Sequence, residues 1–293
     1  MKKAIAILSV FLFCGLLLTS PQHAAQAVRE GLSLCARSVI PSLFPFLAAV
    51  GLLLKLGAAD WLQGLFAPLM RPLFRMRGVC ALPLLTGLLG GYPAGARTAA
   101  GLYDEGILTK GEAELLLGFC NNCGPAFLLG FVGTEVLGGG ALGMELLLIH
   151  VLSALLTGAI LCRLAGGRSP AALPCPMPEV SLPFGRAFTQ AVTEAADASL
   201  RIAAFVVFFR VLVALVPMPS WLTGGLEMVT GLTALPQGGG SLAAAAVLTA
   251  WGGLSVHCQT MAVTGELSLR WHWFGKALQA LLAGILGSLF MLF

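Results

Sequence analysis

The sequence predicts an all-α polytopic integral membrane protein with two inverted-topology repeats, broken or re-entrant helices and about 7–9 membrane segments. Three observations lead to this prediction. The first is composition: 58% of the 293 residues are hydrophobic and 10% are charged, whereas a soluble domain carries about 25% charged residues. The second is a series of apolar segments joined by short polar connections. The third is an internal duplication whose two copies run in opposite directions.

Composition excludes a water-soluble protein, because a mean hydropathy of +0.92 leaves too little polar surface. The lipid bilayer is therefore the expected partner. The net charge of +4 comes from basic residues in short connections. This distribution is typical of cytoplasmic loops and gives no reason to expect a nucleic-acid partner.

The N-terminal residues 1–25 have a basic start, an apolar centre and a small-residue end. This pattern fits either a cleaved signal peptide or a signal anchor that forms the first span. We expect a first membrane repeat over 26–165, a proline-rich cytoplasmic linker over 166–187 and a second membrane repeat over 188–293.

Apolar segments define the predicted spans. Segment 59–77 ends in several arginines and suits a helix in the cytoplasmic interface. The apolar segments fall at about 4–20, 36–57, 112–133, 136–162, 198–217, 241–263 and 272–293, with shorter broken ones at 78–103 and 222–236.

An internal repeat relates "QAVREGLSLCARSVIPSLF" (26–44) to "QAVTEAADASLRIAAFVVF" (190–208), an offset of 164 residues. Six of the 19 positions are identical, including the pairs Glu30/Glu194 and Arg37/Arg201. A second, shorter similarity is the triplet Thr-Gly-Leu, which occurs at 86–88 and again at 230–232.

Charge distribution orients the two copies. Basic residues follow span 36–57, whereas they precede span 198–217. The first span is therefore predicted to end in the cytoplasm and the second to start there. Inverted repeats with paired broken helices are typical of secondary transporters, whose solute site lies at the repeat interface.

The first helix break is "TGLLGGYPAGAR" (86–97), where Gly90, Gly91 and Pro93 interrupt an apolar helix and Tyr92 lies between them. Free amides at the next helix N-terminus favour an anion, and Arg97 can bind a carboxylate through two hydrogen bonds. The alternative is a simple kink with Arg97 directed to the interface.

The second break, "GFCNNCGP" (118–125), contains Asn121, Asn122 and Pro125. Proline frees backbone groups that the asparagine amides can satisfy, and the same amides can contact a solute. The alternative is hydrogen bonding between helices alone.

The third break contains Glu227, Thr230 and Gly231. An acidic side chain at membrane depth predicts a functional proton or cation site, although Glu227 also suits an interfacial position close to Trp221. The fourth break, "WGGLSVHCQ" (251–259), contributes Ser255, His257 and Gln259. His257 is either a lone structural histidine or a proton-coupling group.

No enzyme motif accompanies these residues. The sequence has neither the G-x-S-x-G nor the H-E-x-x-H pattern. The single C-x-x-C at 120–123 lacks a second ligand pair, so no metal or cofactor is expected. The acidic residues 104–114 predict a solvated turn and a helix start, with Thr109 and Glu112 forming a capping box. We therefore expect no catalytic residues and no enzyme activity.

The stretch "GYPAGARTAAGLYDEGILTKGEAELLLGFCNNCGPAFLLGFVG" resembles the signature of the YlbJ-type sporulation integral membrane proteins, which carry a nucleoside-recognition (Gate) domain. "PSLFPF", "EMVTGL" and "GGLSVHCQ" resemble further motifs of that family, in the same order. The resemblance covers most of the chain. A departure is Cys123, which stands where serine is common.

The resemblance implies a multi-pass protein of the outer forespore membrane that moves dipicolinic acid, a dicarboxylate anion, during endospore formation. It also implies other sporulation membrane proteins or a second copy as partners. Related Gate proteins include nucleoside carriers, so a nucleoside-like solute is an alternative. A structural or regulatory membrane protein without a solute is another.

Overall fold

The computed structural model describes residues 2–166, 182–216 and 218–291. These residues form α-helices and no strand. Most of the predicted linker, 167–181, lies outside the described residues. The helices are α1 Lys2–Thr19, α2 Pro21–Leu34, α3 Ile40–Leu53, α4 Ala59–Phe74, α5 Ala81–Gly90, α6 Ala94–Asp104, α7 Lys110–Leu116, α8 Gly140–Leu164, α9 Phe184–Leu215, α10 Ser220–Leu226, α11 Met228–Thr233, α12 Leu242–Trp251, α13 Gly253–Met261 and α14 Arg270–Phe290.

Short π-helical or 3₁₀ segments connect some of these helices. Two π-helical segments flank α3. The first makes it continuous with α2, whereas the second contains the non-helical Gly57, which bends the chain before α4. Another follows the second break. These segments are Cys35–Val39, Leu54–Ala58, Gly78–Cys80, Phe127–Val136 and Gly239–Ser241.

Four helices in the described ranges are long and apolar enough to cross a membrane, and the number rises to six if each of two bent pairs counts as one span. The four are Gly140–Leu164, Phe184–Leu215, Gly239–Met261 and Arg270–Phe290. The 25 residues of α8 rise about 38 Å at 1.5 Å per residue, enough for a hydrocarbon core of about 30 Å. The protein is thus a multi-pass membrane protein.

The residue pattern of α8 explains which face of this helix is exposed and which is buried. Met144, Leu148, Leu152 and Leu156 recur every four residues and are exposed, so they form a stripe for lipid. The opposite face is buried and carries small or polar residues, including Ser153, which allow close helix packing.

The duplicated segments pack against each other in antiparallel directions. Gly31 at the start of the first copy contacts Val207 near the end of α9. Gly51, on α3, faces Ala191 near the beginning of α9, where a Cβ would lie 3.6 Å from the Ala191 Cβ. The continuous helix α2–α3 therefore runs opposite to α9.

All four predicted helix breaks are confirmed. Residues 91–93 separate α5 from α6, and a non-helical loop at 121–124 follows α7. Glu227 separates α10 from α11, and Gly252 separates α12 from α13. Each break coincides with a glycine, proline or asparagine cluster, except that at Glu227, where a buried carboxylate begins the new helix.

The first and fourth breaks share a backbone conformation. Gly91 has φ 79° and Gly252 has φ 86°, the left-handed region that glycine tolerates. Their separation of 161 residues (252 − 91) nearly equals the 164-residue offset of the repeat. The two Thr-Gly-Leu triplets do not occupy matching positions. Thr86 precedes its break, on α5, whereas Thr230 follows its break, on α11.

The turn between α6 and α7 partly corrects the sequence analysis. The capping box of Thr109 and Glu112 is present. The prediction of a solvated segment is wrong for Glu112, which is 5% exposed. Its carboxylate accepts two hydrogen bonds from the Arg77 guanidinium at 2.5 and 2.7 Å, which neutralises the buried charge.

Two glycines let the first broken helix pair approach the second break. Gly87 on α5 and Gly95 on α6 both face the carbonyl group of Cys120, and a Cβ on either would overlap that carbonyl. The first two breaks are therefore held in direct backbone contact.

Candidate functional site

An inner cavity lies where the breaks meet. All four breaks contribute to its walls: Gly91 and Tyr92 from the first, Cys123 and Gly124 from the second, Glu227 from the third, and Ser255 and Gln259 from the fourth. Apolar side chains of the duplicated helices, such as Val39 and Val206, complete the wall. Interrupted helices from both halves thus enclose one space.

A side cavity lies between α3, α9 and the first broken pair. Its wall includes Thr86, Pro93, Arg97 and Glu194. Tyr92 lines this cavity as well as the inner one. The two spaces therefore share Tyr92 as a wall residue.

The Arg97 side chain is exposed, and its guanidinium donates no hydrogen bond within the described ranges, while its backbone amide donates to the Pro93 carbonyl. Arg97 also lines a recess together with Arg201 and Gln259. Two guanidinium groups and an amide therefore border the same recess. Such a set of donors suits a carboxylate, which Arg binds through two parallel hydrogen bonds.

Ser255 presents a buried hydroxyl to the inner cavity without a hydrogen-bond partner among the described residues. A buried polar atom left unpaired costs about 1–3 kcal/mol. The hydroxyl is therefore placed to bind something that enters the cavity.

The asparagines of the second break hydrogen-bond to other parts of the protein and do not line the inner cavity. The Asn121 amide donates to the Thr260 hydroxyl at 2.7 Å, and its own oxygen has no partner in the described part of the chain. Asn122 donates to the Phe119 carbonyl at 2.8 Å. Neither asparagine lines the inner cavity, and Pro125 lies beyond them at the start of the next helical segment.

Glu227 is fully buried and begins α11. Its carboxylate accepts hydrogen bonds from the Val229 amide at 3.0 Å and from the amide and hydroxyl of Thr230, both at 2.6 Å. The Arg210 guanidinium also donates to the Thr230 hydroxyl at 3.2 Å. Thr230 therefore holds Glu227 rather than lining the cavity, and Gly231 packs on Gly224.

His257 is not a lone histidine. Its Nδ1 lies 2.9 Å from Nε2 of His272, whose Nδ1 lies 3.1 Å from the Leu117 carbonyl oxygen. A carbonyl only accepts, so in the neutral pair His272 Nδ1 carries a proton and His257 Nδ1 donates to His272 Nε2. The remaining His257 Nε2 is then a bare lone pair, and it has no partner among the described residues.

Comparison with known proteins bears on this arrangement. Residues 36–137 match the family model described as "Gate: Nucleoside recognition". The chain is also 31% identical over 228 residues to the "Sporulation integral membrane protein YlbJ" of Bacillus subtilis (strain 168), across 71% of this chain. The chain belongs to the Gate/YlbJ family. It spans 56% of the length of that relative. No solved structure matches the chain.

The Gate/YlbJ resemblance predicted from the central motif is thus confirmed. The Gate match contains the first two breaks, with Arg97 and the two asparagines. The third and fourth breaks lie outside it, yet they close the same inner cavity. The inner cavity is therefore lined by residues both inside and outside the Gate match.

Several buried polar residues are not predicted from the sequence, among them His150, His272, Lys276 and Gln279. His150 accepts from the Cys123 amide at 3.1 Å, and Gln279 donates to Asn122 at 2.9 Å. A usable signal was Lys276 itself, because an ionisable residue inside an apolar span is a functional candidate by default.

Proposed function

We propose that the chain is a membrane transporter of a small polar anion, and that its two halves have inverted topology with about 7–9 membrane segments. One observation carries the proposal: broken helices from both halves border a single cavity into which an unpartnered buried hydroxyl projects. Interrupted backbone at membrane depth is tolerated only where it is buried in protein or lines a cavity.

Two features of the fold support inverted halves. The duplicated helices α2–α3 and α9 pack in antiparallel directions, as copies related by a two-fold axis in the membrane plane would. The breaks at Gly91 and Gly252 recur at nearly the offset of the repeat. Shorter apolar helices such as Phe127–Val136 add the segments that complete the larger number of crossings.

Charge supports an anionic solute. Arg97 and Arg201 border one recess, and the Arg97 guanidinium donates no hydrogen bond in the described ranges. Two guanidinium groups suit a molecule with two carboxylates. Because the YlbJ relative is named a sporulation protein, we propose dipicolinic acid as the solute and the outer forespore membrane as the location.

The test is uptake by purified protein in liposomes, with labelled dipicolinate and labelled nucleosides supplied in parallel. Dipicolinate uptake above that of empty vesicles is the expected result. Uptake of nucleosides alone would show that the transported solute is a neutral nucleoside and not an anion. Absence of uptake for both, together with a co-purifying membrane protein, would instead favour the structural role.

A further inference from the structure

A lysine lies inside helix α14 without access to water. Lys276 is 0% exposed. Its Nζ donates to the Asn121 carbonyl at 3.0 Å and to the Gln279 side-chain oxygen at 2.6 Å. It also lies 5.0 Å from the centre of the Tyr92 ring. No carboxylate forms an ion pair with it within the described residues, so the protein does not supply a counter-charge.

This environment has the chemistry of a monovalent-cation site. In transporters, backbone carbonyls of unwound helices and the C-terminal ends of half-helices coordinate coupling ions. The Asn121 carbonyl belongs to such an unwound segment after α7. A side-chain amide oxygen and the face of an aromatic ring also attract cations. Lys276 Nζ occupies this position.

We propose that Lys276 is a tethered replacement for a coupling ion, and that the gain and loss of one proton at its Nζ couple solute movement to proton movement. On loading, the Nζ lone pair binds a proton from water on one side, and a solute carboxylate balances the new charge. On release, the N–H bond breaks and the proton leaves with the solute on the other side. This inference rests on the proposed transport function.

The hydrogen bonds suit both protonation states. A neutral amine has two N–H groups, which match the two oxygen acceptors of Asn121 and Gln279. An ammonium has a third N–H and a full charge, which the Tyr92 face stabilises. Tyr92 also lines both cavities, so the residue whose ring contacts the Lys276 ammonium is itself part of the cavity walls.

Other titratable groups surround Lys276 on every element packed against it. None of them is a carboxylate, so the negative charge that balances an ammonium has to come from a bound anion. These groups are Tyr92 at the first break, Cys120 and Cys123 in the second break, His150 on α8, His257 on α13 and His272 one turn earlier on α14.

The experiment uses the full chain in liposomes whose membrane potential is clamped with potassium and valinomycin. A gradient of one pH unit is imposed, and labelled dipicolinate and internal pH are followed together. One proton per solute allows about tenfold accumulation, because one pH unit is a tenfold ratio of proton activities. Wild type should approach this ratio and acidify the vesicles as solute enters.

Lys276→Gln keeps a hydrogen-bonding side chain without a proton to exchange. It should retain dipicolinate exchange between equal pH values, while gradient-driven accumulation falls to a ratio of about one. Lys110→Gln is the matched control, because Lys110 is exposed at the start of α7. It should keep the wild-type ratio.

The outcomes separate the two proposals. If wild type takes up no dipicolinate, the transport function fails and this inference fails with it. If wild type transports and Lys276→Gln still accumulates solute on the pH gradient, only the role of Lys276 is overturned. Should Lys276→Gln not reach the membrane, Lys276→Arg replaces it, since a permanently charged guanidinium also cannot exchange a proton. Gradient-driven accumulation by that variant would likewise overturn the role of Lys276.

Discussion

Glu30 and Glu194, equivalent residues of the internal repeat, each form an ion pair with a basic side chain of the other half. Glu30 pairs with Arg210 at 3.1 Å, and Glu194 pairs with Lys55 at 2.8 Å. Because α2–α3 and α9 are antiparallel, the two ion pairs connect opposite ends of the same helix contact.

A charge reversal tests the second of these pairs. The Glu194 side chain is 55% exposed, so we expect Glu194→Lys to lower the unfolding free energy by about 0.2–1 kcal/mol. The double variant Lys55→Glu with Glu194→Lys should recover that loss. Thermal unfolding of detergent-solubilised protein measures both effects. A double variant that is no more stable than the single one would show that this ion pair does not contribute to stability.

A disulfide tests the antiparallel contact itself. Gly51 and Ala191 lie close enough for a Cβ–Cβ distance of 3.6 Å, within the range of about 3.5–4.5 Å that disulfides need. Gly51→Cys with Ala191→Cys should therefore cross-link under mild oxidation, as read by a mobility shift after cleavage between the halves. Gly51→Cys with Phe208→Cys, at the other end of α9, should not. Equal cross-linking of both pairs would contradict the register.

Backbone contact between the first two breaks predicts a sharp difference between two glycines of α6. Gly95→Ala places a methyl group against the Cys120 carbonyl and should cost about 1–3 kcal/mol or more of stability. Gly101→Ala meets no atom within 4 Å and should be neutral or stabilising by up to about 1 kcal/mol. Similar unfolding temperatures for both variants would argue against this contact.

Arg97 provides the clearest test of the anion recess. Loss of a charged hydrogen bond of about 1.5–3 kcal/mol predicts that Arg97→Ala raises the KM for dipicolinate about ten- to hundredfold. Dipicolinate in spores should fall while the protein still reaches the membrane. Arg71→Ala removes an exposed arginine of α4 and should behave as wild type. Normal accumulation in Arg97→Ala spores would exclude Arg97 from the site.

Ser255→Ala should separate solute binding from folding. The variant removes an unpartnered hydroxyl, so its unfolding temperature should stay the same or rise. Its KM should increase, since the solute loses a partner. Thr260→Val is the comparison, because it removes the acceptor of the Asn121 amide and should lower stability. A stable Ser255→Ala protein with unchanged KM would show that the hydroxyl contacts no solute.

Local chemistry made part of this molecule predictable. The helix breaks follow from glycine and proline, and the capping box follows from the three-residue spacing of Thr109 and Glu112. The long apolar segments predict an integral membrane protein. These features depend on residues that are neighbours in the chain.

The polar network behind the cavity depends instead on residues far apart in the chain. Lys276 meets the Asn121 carbonyl across 155 residues, and His272 is also 155 residues from Leu117. In the sequence, Lys276 and His272 belong to the apolar segment 272–293, and His272 lies 15 residues away from His257, its partner in the fold. Only the packing of α14 against the loop after α7 brings these groups together.

Tyr92 connects the first break to α12 beside the inner cavity. Its hydroxyl donates to the Thr249 carbonyl at 3.1 Å, across 157 residues of the chain. In the proposed transporter, any movement of the first break away from α12 has to break this hydrogen bond. Such a movement is then a discrete rearrangement of the protein, unlike diffusion through a permanently open pore.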